Sequence, residues 1–147
     1  MYYFSVTVFE GIMIKANELR IGNLVGKNNY GISDNPVSVS HIEVENIGIG
    51  GVNSEYSYGH FSPKYVLEEL SPIPLAEEWL LKFGFAKGYK YTSLETAEFD
   101  LDYDCLKNEL YISFGDSPFH TELPHIKHVH QLQNLYFALT GEELTIK

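Results

Sequence analysis

The sequence predicts an α+β domain. Its N-terminal half reads as a small SH3-like curled β-barrel, followed by a helix, an antiparallel sheet, a second helix and an edge strand. Three observations carry this. Short alternating runs punctuated by glycine and asparagine extend to Phe61. Two segments with helical periodicity follow Pro74 and Pro124, each ending at a glycine. Between them lie closely spaced runs rich in tyrosine and phenylalanine, residues that favour strands.

Residues 1–12, MYYFSVTVFEGI, alternate like a strand but lack a basic n-region and contain Glu10, which argues against a signal peptide. Met13 opens MIKANELRIGN and is a plausible start, so residues 1–12 read as an upstream extension and residues 13–147 as the domain. A chain beginning at Met13 is then expected to fold. The length of 147 residues suits one domain, which at this size buries about 68–70% of its unfolded surface without staples.

Ala16 to Asn28 predicts a turn leading into a strand near Ile21–Val25, closely punctuated by Gly22 and Gly26. Val37 to Ile47 is the clearest alternating run, and its apolar set changes face near His41, the pattern of a bulge or strong bend. IGIGGVNSEYSYG reads as a flexible loop, with a strand around Tyr56–Phe61. Pro72 and Pro74 hold an extended approach to a helix from about Leu75 to Phe83. Ala76, Trp79, Leu80 and Phe83 share one of its faces, Glu77 and Glu78 suit the positive end of its dipole, and Gly84 stops it. Strands are expected at Phe85–Tyr91, Glu98–Tyr103 and Glu109–Phe114, with an extended piece from Phe119 to Leu123. A second helix over Lys127–Thr140 presents Val129, Leu132, Tyr136 and Leu139 on one face, with His130, Gln131, Gln133 and Asn134 largely elsewhere. Gly141 ends it, and Leu144–Ile146 reads as an edge strand.

Composition narrows function. Cys105 is the single cysteine, so no intrachain disulfide forms and a reducing, cytoplasmic setting is expected. No apolar run approaches the ~20 residues of a membrane helix. The net charge is −10, and the stretch Tyr91–Leu123 holds eight acids against Lys107 alone, so it carries seven of the ten excess negative charges. Direct nucleic-acid binding calls for the opposite sign and is set aside.

Three blocks, MIKANELRIGNLV (Met13–Val25), SPIPLAEEWLLKFGF (Ser71–Phe85) and KHVHQLQNLYFALTGEELT (Lys127–Thr145), together resemble a family of short uncharacterised proteins encoded by gut anaerobic bacteria, their phages and mobile elements. The blocks cover roughly a third of the chain, and the last is the most specific. The resemblance implies the domain layout and a phage or mobile-element setting, and brings no established chemistry. Family members carry a hydroxyl residue where Ala76 stands, a departure that touches helix capping rather than activity.

The candidate sites divide into two function classes. His125, His128 and His130 supply imidazoles suited to zinc-like ions. Their spacing is poor: on a helix His130 is turned ~200° from His128, and on a strand His125 faces away. A metal-dependent enzyme using this segment, with an acid from Asp100–Asp104, is the alternative reading. Asp100, Asp102 and Asp104 line one face of a strand about 6.8 Å apart. At that spacing each neighbouring pair repels by roughly 0.6 kcal/mol in water, so a wet face is the default. No EF-hand glycine or bidentate glutamate follows.

Cys105 follows an anionic neighbour that raises its thiol pKa, which makes it a poor nucleophile. Ser57, Ser62 and Ser117 sit in no nucleophile elbow, and Gly48–Gly51 lacks phosphate-loop spacing. The leading expectation is a non-enzymatic accessory protein that needs no cofactor and acts by contact with another protein. Its contact face is formed by Tyr91, Asp100, Asp102, Tyr103, Asp104 and Tyr111. Spaced carboxylates can also imitate a phosphate backbone, which makes an acidic inhibitor of a host defence system one form of that expectation. The identity of the partner and the oligomeric state are not legible in the residues.

Overall fold

The structure is a computed structural model, and it describes Ile14 and residues 18–27, 37–42, 47–51, 57–61 and 70–147. Residues 1–12 and Met13 lie outside the described residues. Among the described residues, ten strands and two helices form two five-stranded antiparallel sheets with helices packed on the second, confirming the α+β class.

The first sheet contains β1 (Leu24–Lys27), β2 (Val37–Ile42), β3 (Ile47–Gly51), β4 (Ser57–Phe61) and β5 (Leu70–Ser71). Its order is β4-β3-β2-β1-β5. Among the described residues it is open, with β4 and β5 at its edges, where the sequence predicts a closed curl. The register between β2 and β3 shifts between Val39 and His41, where the sequence places a bulge. Strand β1 starts later than expected because Gly22, at φ 91, turns the chain, and Asn23 N–H donates to the Arg20 carbonyl. Ile47–Gly51 is a strand, not the expected flexible loop. Its glycines bring no side-chain signal, yet Gly48 pairs with His41 and Gly50 with Ser38 along the β2 ladder. Partner strands, rather than local propensity, decide such a segment.

Residues 73–75 and 127–129 join the approaches to the two helices: Leu75 N–H donates to the Lys127 carbonyl and Val129 N–H to the Ile73 carbonyl. Helix α1 (Glu77–Lys82) follows, with Leu80 and Phe83 fully buried and Ala76 offering no side-chain cap. It is shorter than expected at both ends. Gly84, at φ 89, terminates it as predicted.

The second sheet is a meander of β6 (Ala86–Lys87), β7 (Tyr91–Glu95), β8 (Phe99–Asp104), β9 (Glu109–Phe114) and β10 (Thr121–Glu122), in the order β10-β9-β8-β7-β6. The single strand expected over Phe85–Tyr91 is broken at Gly88, whose N–H donates to the Tyr91 carbonyl, so β6 and β7 form a hairpin. Phe99, Leu101, Tyr103, Leu110 and Ile112 project from one face into the core. They meet Leu80 and Phe83 of α1, and Val129 and Leu132 of helix α2 (Val129–Thr140). Gly141, at φ 74, ends α2 with its N–H donating to the Phe137 carbonyl.

Leu144–Ile146 forms no strand. Leu144 is buried, its carbonyl accepts from the Gln133 side chain, and Lys147 N–H donates to the Lys82 carbonyl, so the tail is held without a ladder.

The polar stripe of α2, which the sequence sets largely apart from the apolar face, is the seam between the two halves. Gln133 Oε1 accepts from Leu24 N–H at 2.8 Å, while its Nε2 donates to the carbonyls of Leu144 at 3.1 Å and Gly22 at 3.3 Å. Asn134 accepts from the Asn23 side chain and donates to the Glu18 carbonyl. Arg20 lies over the Phe137 ring, 3.6 Å from its centroid, and pairs with Glu143. Gln133 and Asn23 are essentially buried. Replacing Gln133→Leu therefore leaves a buried N–H without its acceptor, which costs about 1–3 kcal/mol, and also strands the Gly22 and Leu144 carbonyls. The expected result is a lower urea midpoint with an unchanged denaturant slope; a midpoint equal to wild type removes this account of the seam.

Candidate functional site

The second sheet has one face in the core and one turned outward. Pairing places three rows on the outward face: Glu95, Asp100 and Ser113; then Ala86, Ser93, Asp102, Tyr111 and Glu122; then Tyr91, Asp104 and Glu109. Side chains alternate faces along a strand, so the aspartate run of β8 meets the tyrosines of β7 and β9 here. Tyr91 and Tyr111 pack edge to face with centroids 6.3 Å apart, and the Lys90 ammonium lies 4.8 Å from the centre of the Tyr91 ring.

The carboxylates are not one wet ladder, as the sequence suggests. Asp104 is only 3% exposed, and its Oδ1 accepts from the N–H groups of Leu106 and Lys107 in the β8–β9 turn. Asn108 closes that turn in the left-handed region at φ 55, which asparagine tolerates. Asp102 accepts from the Ser93 hydroxyl and faces His120 Nδ1 at 3.3 Å. Glu95 and Glu122 stand exposed on either side, and Asp100 is half-buried. Tyr111 donates to Glu109. That bond, with partial burial and the charges of Glu109, Glu122 and Asp104, pushes its phenol up to about 12.

Tyr103 does not belong to this face. It is 2% exposed on the core side, and its hydroxyl lies 3.1 Å from both the Leu75 carbonyl and the Asn108 side-chain oxygen. The period of two turns it away from its flanking aspartates, and burial removes both Tyr103 and Asp104 from the expected contact set. Turn residues supply what the sequence reading missed. Tyr89 is fully exposed and Leu106 is 94% exposed, at the same end of the sheet as Tyr91. Their signal was apolar side chains inside turns bounded by Gly88 and Asn108.

The histidines fall on different ground. His125 is exposed, His128 is the extended residue that caps α2, and His130 is buried. Because His128 precedes the helical turn, its ring stacks on His130 with centroids 5.8 Å apart instead of pointing away. Gln131 Oε1 accepts from the backbone N–H groups of Lys127 and His128 at this helix start. Among the described residues, no group of three or more histidine, cysteine, aspartate or glutamate side chains is placed to hold a metal ion.

Cys105 Sγ lies 3.4 Å from Glu77, and burial first, then that carboxylate, pushes its thiol up. The direction is the one expected; the cause is burial and Glu77 rather than Asp104. Lys87 and Thr92 donate to Glu77 and hold its carboxyl below the usual range.

No family model, curated protein or solved structure matches the chain. Among the described residues, no helix is long and apolar enough to cross a membrane.

The tyrosine–carboxylate contact yields a direct check. In a titration followed by tyrosine ring NMR, the Tyr111 phenol is expected to ionise near 12 in the wild type. Glu109→Gln should return it toward the ordinary value of about 10. No change on substitution would mean the two groups do not meet in solution.

Proposed function

We propose that this chain is a non-enzymatic accessory protein that binds another protein through the outward face of its second sheet. The observation that carries the reading is the combination on that face of an edge-to-face tyrosine pair with carboxylates. Tyr91 and Tyr111 offer rigid area at low entropic cost, while Glu95, Asp100 and Glu122 lie around them in adjoining rows. Face recognition suits this sheet better than strand addition, because both edge strands, β6 and β10, are only two residues long. A basic surface is the complement that such charge selects.

A phage or mobile-element protein acting in the cytoplasm on a host defence system is the setting we attach to this reading, through the three sequence blocks quoted above. In the first sheet, the order β5-β1-β2-β3-β4, with β1 between β2 and the last strand β5, is the connectivity of an SH3-like curl, and the shifts in two of its pairings favour bending. We propose that architecture for the N-terminal half. The metal-dependent alternative gains nothing from the geometry: His128 stacks on His130, but among the described residues no group of three histidine, cysteine or acidic side chains is placed to hold a metal ion.

The test compares wild type with the charge-reversed Glu95→Lys/Asp100→Lys/Glu122→Lys variant. A host protein captured by the wild type and identified by mass spectrometry is purified and its affinity measured against both forms. Reversal is expected to weaken binding at least tenfold, and salt to weaken wild-type binding, as exposed charges are screened over about 8 Å at physiological ionic strength. Equal affinity for both forms would remove the face from the interaction. One equivalent of bound metal, lost in His128→Ala, would favour the enzyme reading instead.

A further inference from the structure

We infer that His130 is a proton-operated latch, holding the first sheet onto helix α2 while neutral and releasing it when protonated. His130 is the second residue of α2 and is 1% exposed. Its Nε2 lies 3.5 Å from Glu18 Oε2, at the limit of a hydrogen bond, and among the described residues its Nδ1 meets no partner. A neutral imidazole needs only one donor and one acceptor satisfied. An imidazolium here would leave an N–H without an acceptor among the described residues, on a ring that is 1% exposed, and that is costly.

The surroundings also oppose a positive charge. The first turn of a helix carries the positive end of its dipole. The stacked His128 ring adds repulsion once it is charged. Glu18, on the segment entering β1, is the carboxylate that would attract the charge, but at 36% exposed its field is screened. Farther along the seam, Arg20 Nη2 pairs with Glu143 at 2.6 Å, while Arg20 Nη1 is buried without a partner among the described residues. Burial outweighs the Glu18 attraction and holds the His130 pKa below the ordinary histidine value.

His130, Gln133 and Asn134 form one stripe, and the same stripe carries the bonds to Glu18, Gly22, Asn23 and Leu24. The amide bonds of that stripe do not titrate in this range, so the buried titrating group at the junction is the His130 ring, with the His128 ring stacked on it. The core residues beneath the second sheet, among them Leu101, Leu110, Leu132 and Phe83, do not titrate in this range. The sign follows from linkage. With the closed-state pKa depressed, the open state binds the extra proton, so the seam is unaffected above the ordinary value of about 6.5 and weakens as pH falls below it. One proton raises the open-to-closed ratio at most tenfold per pH unit.

Hydrogen exchange on the full chain, expressed as protection factors from about pH 7 to about pH 5, tests the latch. The reporters are the Leu24 and Val39 amides, which donate to the Gln133 side chain and to the Asn23 carbonyl; the control is the Leu123 amide, which donates to the Leu110 carbonyl. Protection at Leu24 and Val39 is expected to fall by up to tenfold per unit while Leu123 holds, and His130→Phe should flatten the response. If that variant does not fold, the wild-type His130 ring is followed by NMR, and its midpoint should lie below the ordinary value, at the lower end of the pH range over which protection at Leu24 is lost. Parallel loss at Leu123, a response that persists in His130→Phe, or a ring midpoint at or above the ordinary value overturns the proposal.

Discussion

The two halves of this molecule meet through side-chain amides on one helix, and the rest of the arrangement depends on that junction. An apolar seam permits sliding, because hydrophobic contact has no direction. A buried amide does not, since each of its donors and acceptors needs a partner in a fixed position. Gln133 reaches Leu24 N–H and two carbonyls at once, so it fixes the start of β1, the Gly22 turn and the C-terminal tail relative to α2. Asn134 and Arg20 extend the same register to Glu18 and Glu143. Leu24 then enters the core cluster, which couples this polar specification to hydrophobic burial.

With α2 so anchored, its adjoining apolar stripe closes the core of the second sheet. Val129 and Leu132 are fully buried against Leu101 and Leu110, leaving the other face of the same strands turned outward. The aspartates of β8 are tolerated there because the fold treats each differently. Asp104 is satisfied by turn N–H groups and Asp102 by Ser93 and His120, so repulsion along the strand is offset locally instead of by solvent alone. The arrangement keeps tyrosine rings beside exposed carboxylates without placing an unpaired charge in the core.

Much of the layout was legible from period and punctuation. Strand β9 has the bounds the alternation indicates, the irregularity at His41 falls where the apolar set changes face, and Gly84 and Gly141 end their helices in the left-handed region. These are local effects, set by sterics and by the spacing of apolar residues. Ile47–Gly51 escaped because glycine carries no pattern, and its pairing with β2 is settled by the partner strand. Leu144–Ile146 misled because an apolar alternation says nothing of whether a neighbouring strand is free to accept it; the tail is held by Gln133 and Lys82 instead. For the contact face, composition alone singles out Tyr91, Tyr103 and Tyr111, and the period of two along β8 turns Tyr103 away from Asp102 and into the core.

By itself, the sequence determined the types of most elements, both helix stops and the concentration of acid between Tyr91 and Leu123, because each depends on near neighbours or on simple counts. Only the tertiary structure decided which polar residues are solvated. The polar stripe of α2 looks like an exterior in one dimension and becomes an interior when Glu18–Leu24 packs across it. Burial of a polar group depends on what arrives from distant parts of the chain, and no local pattern encodes that arrival.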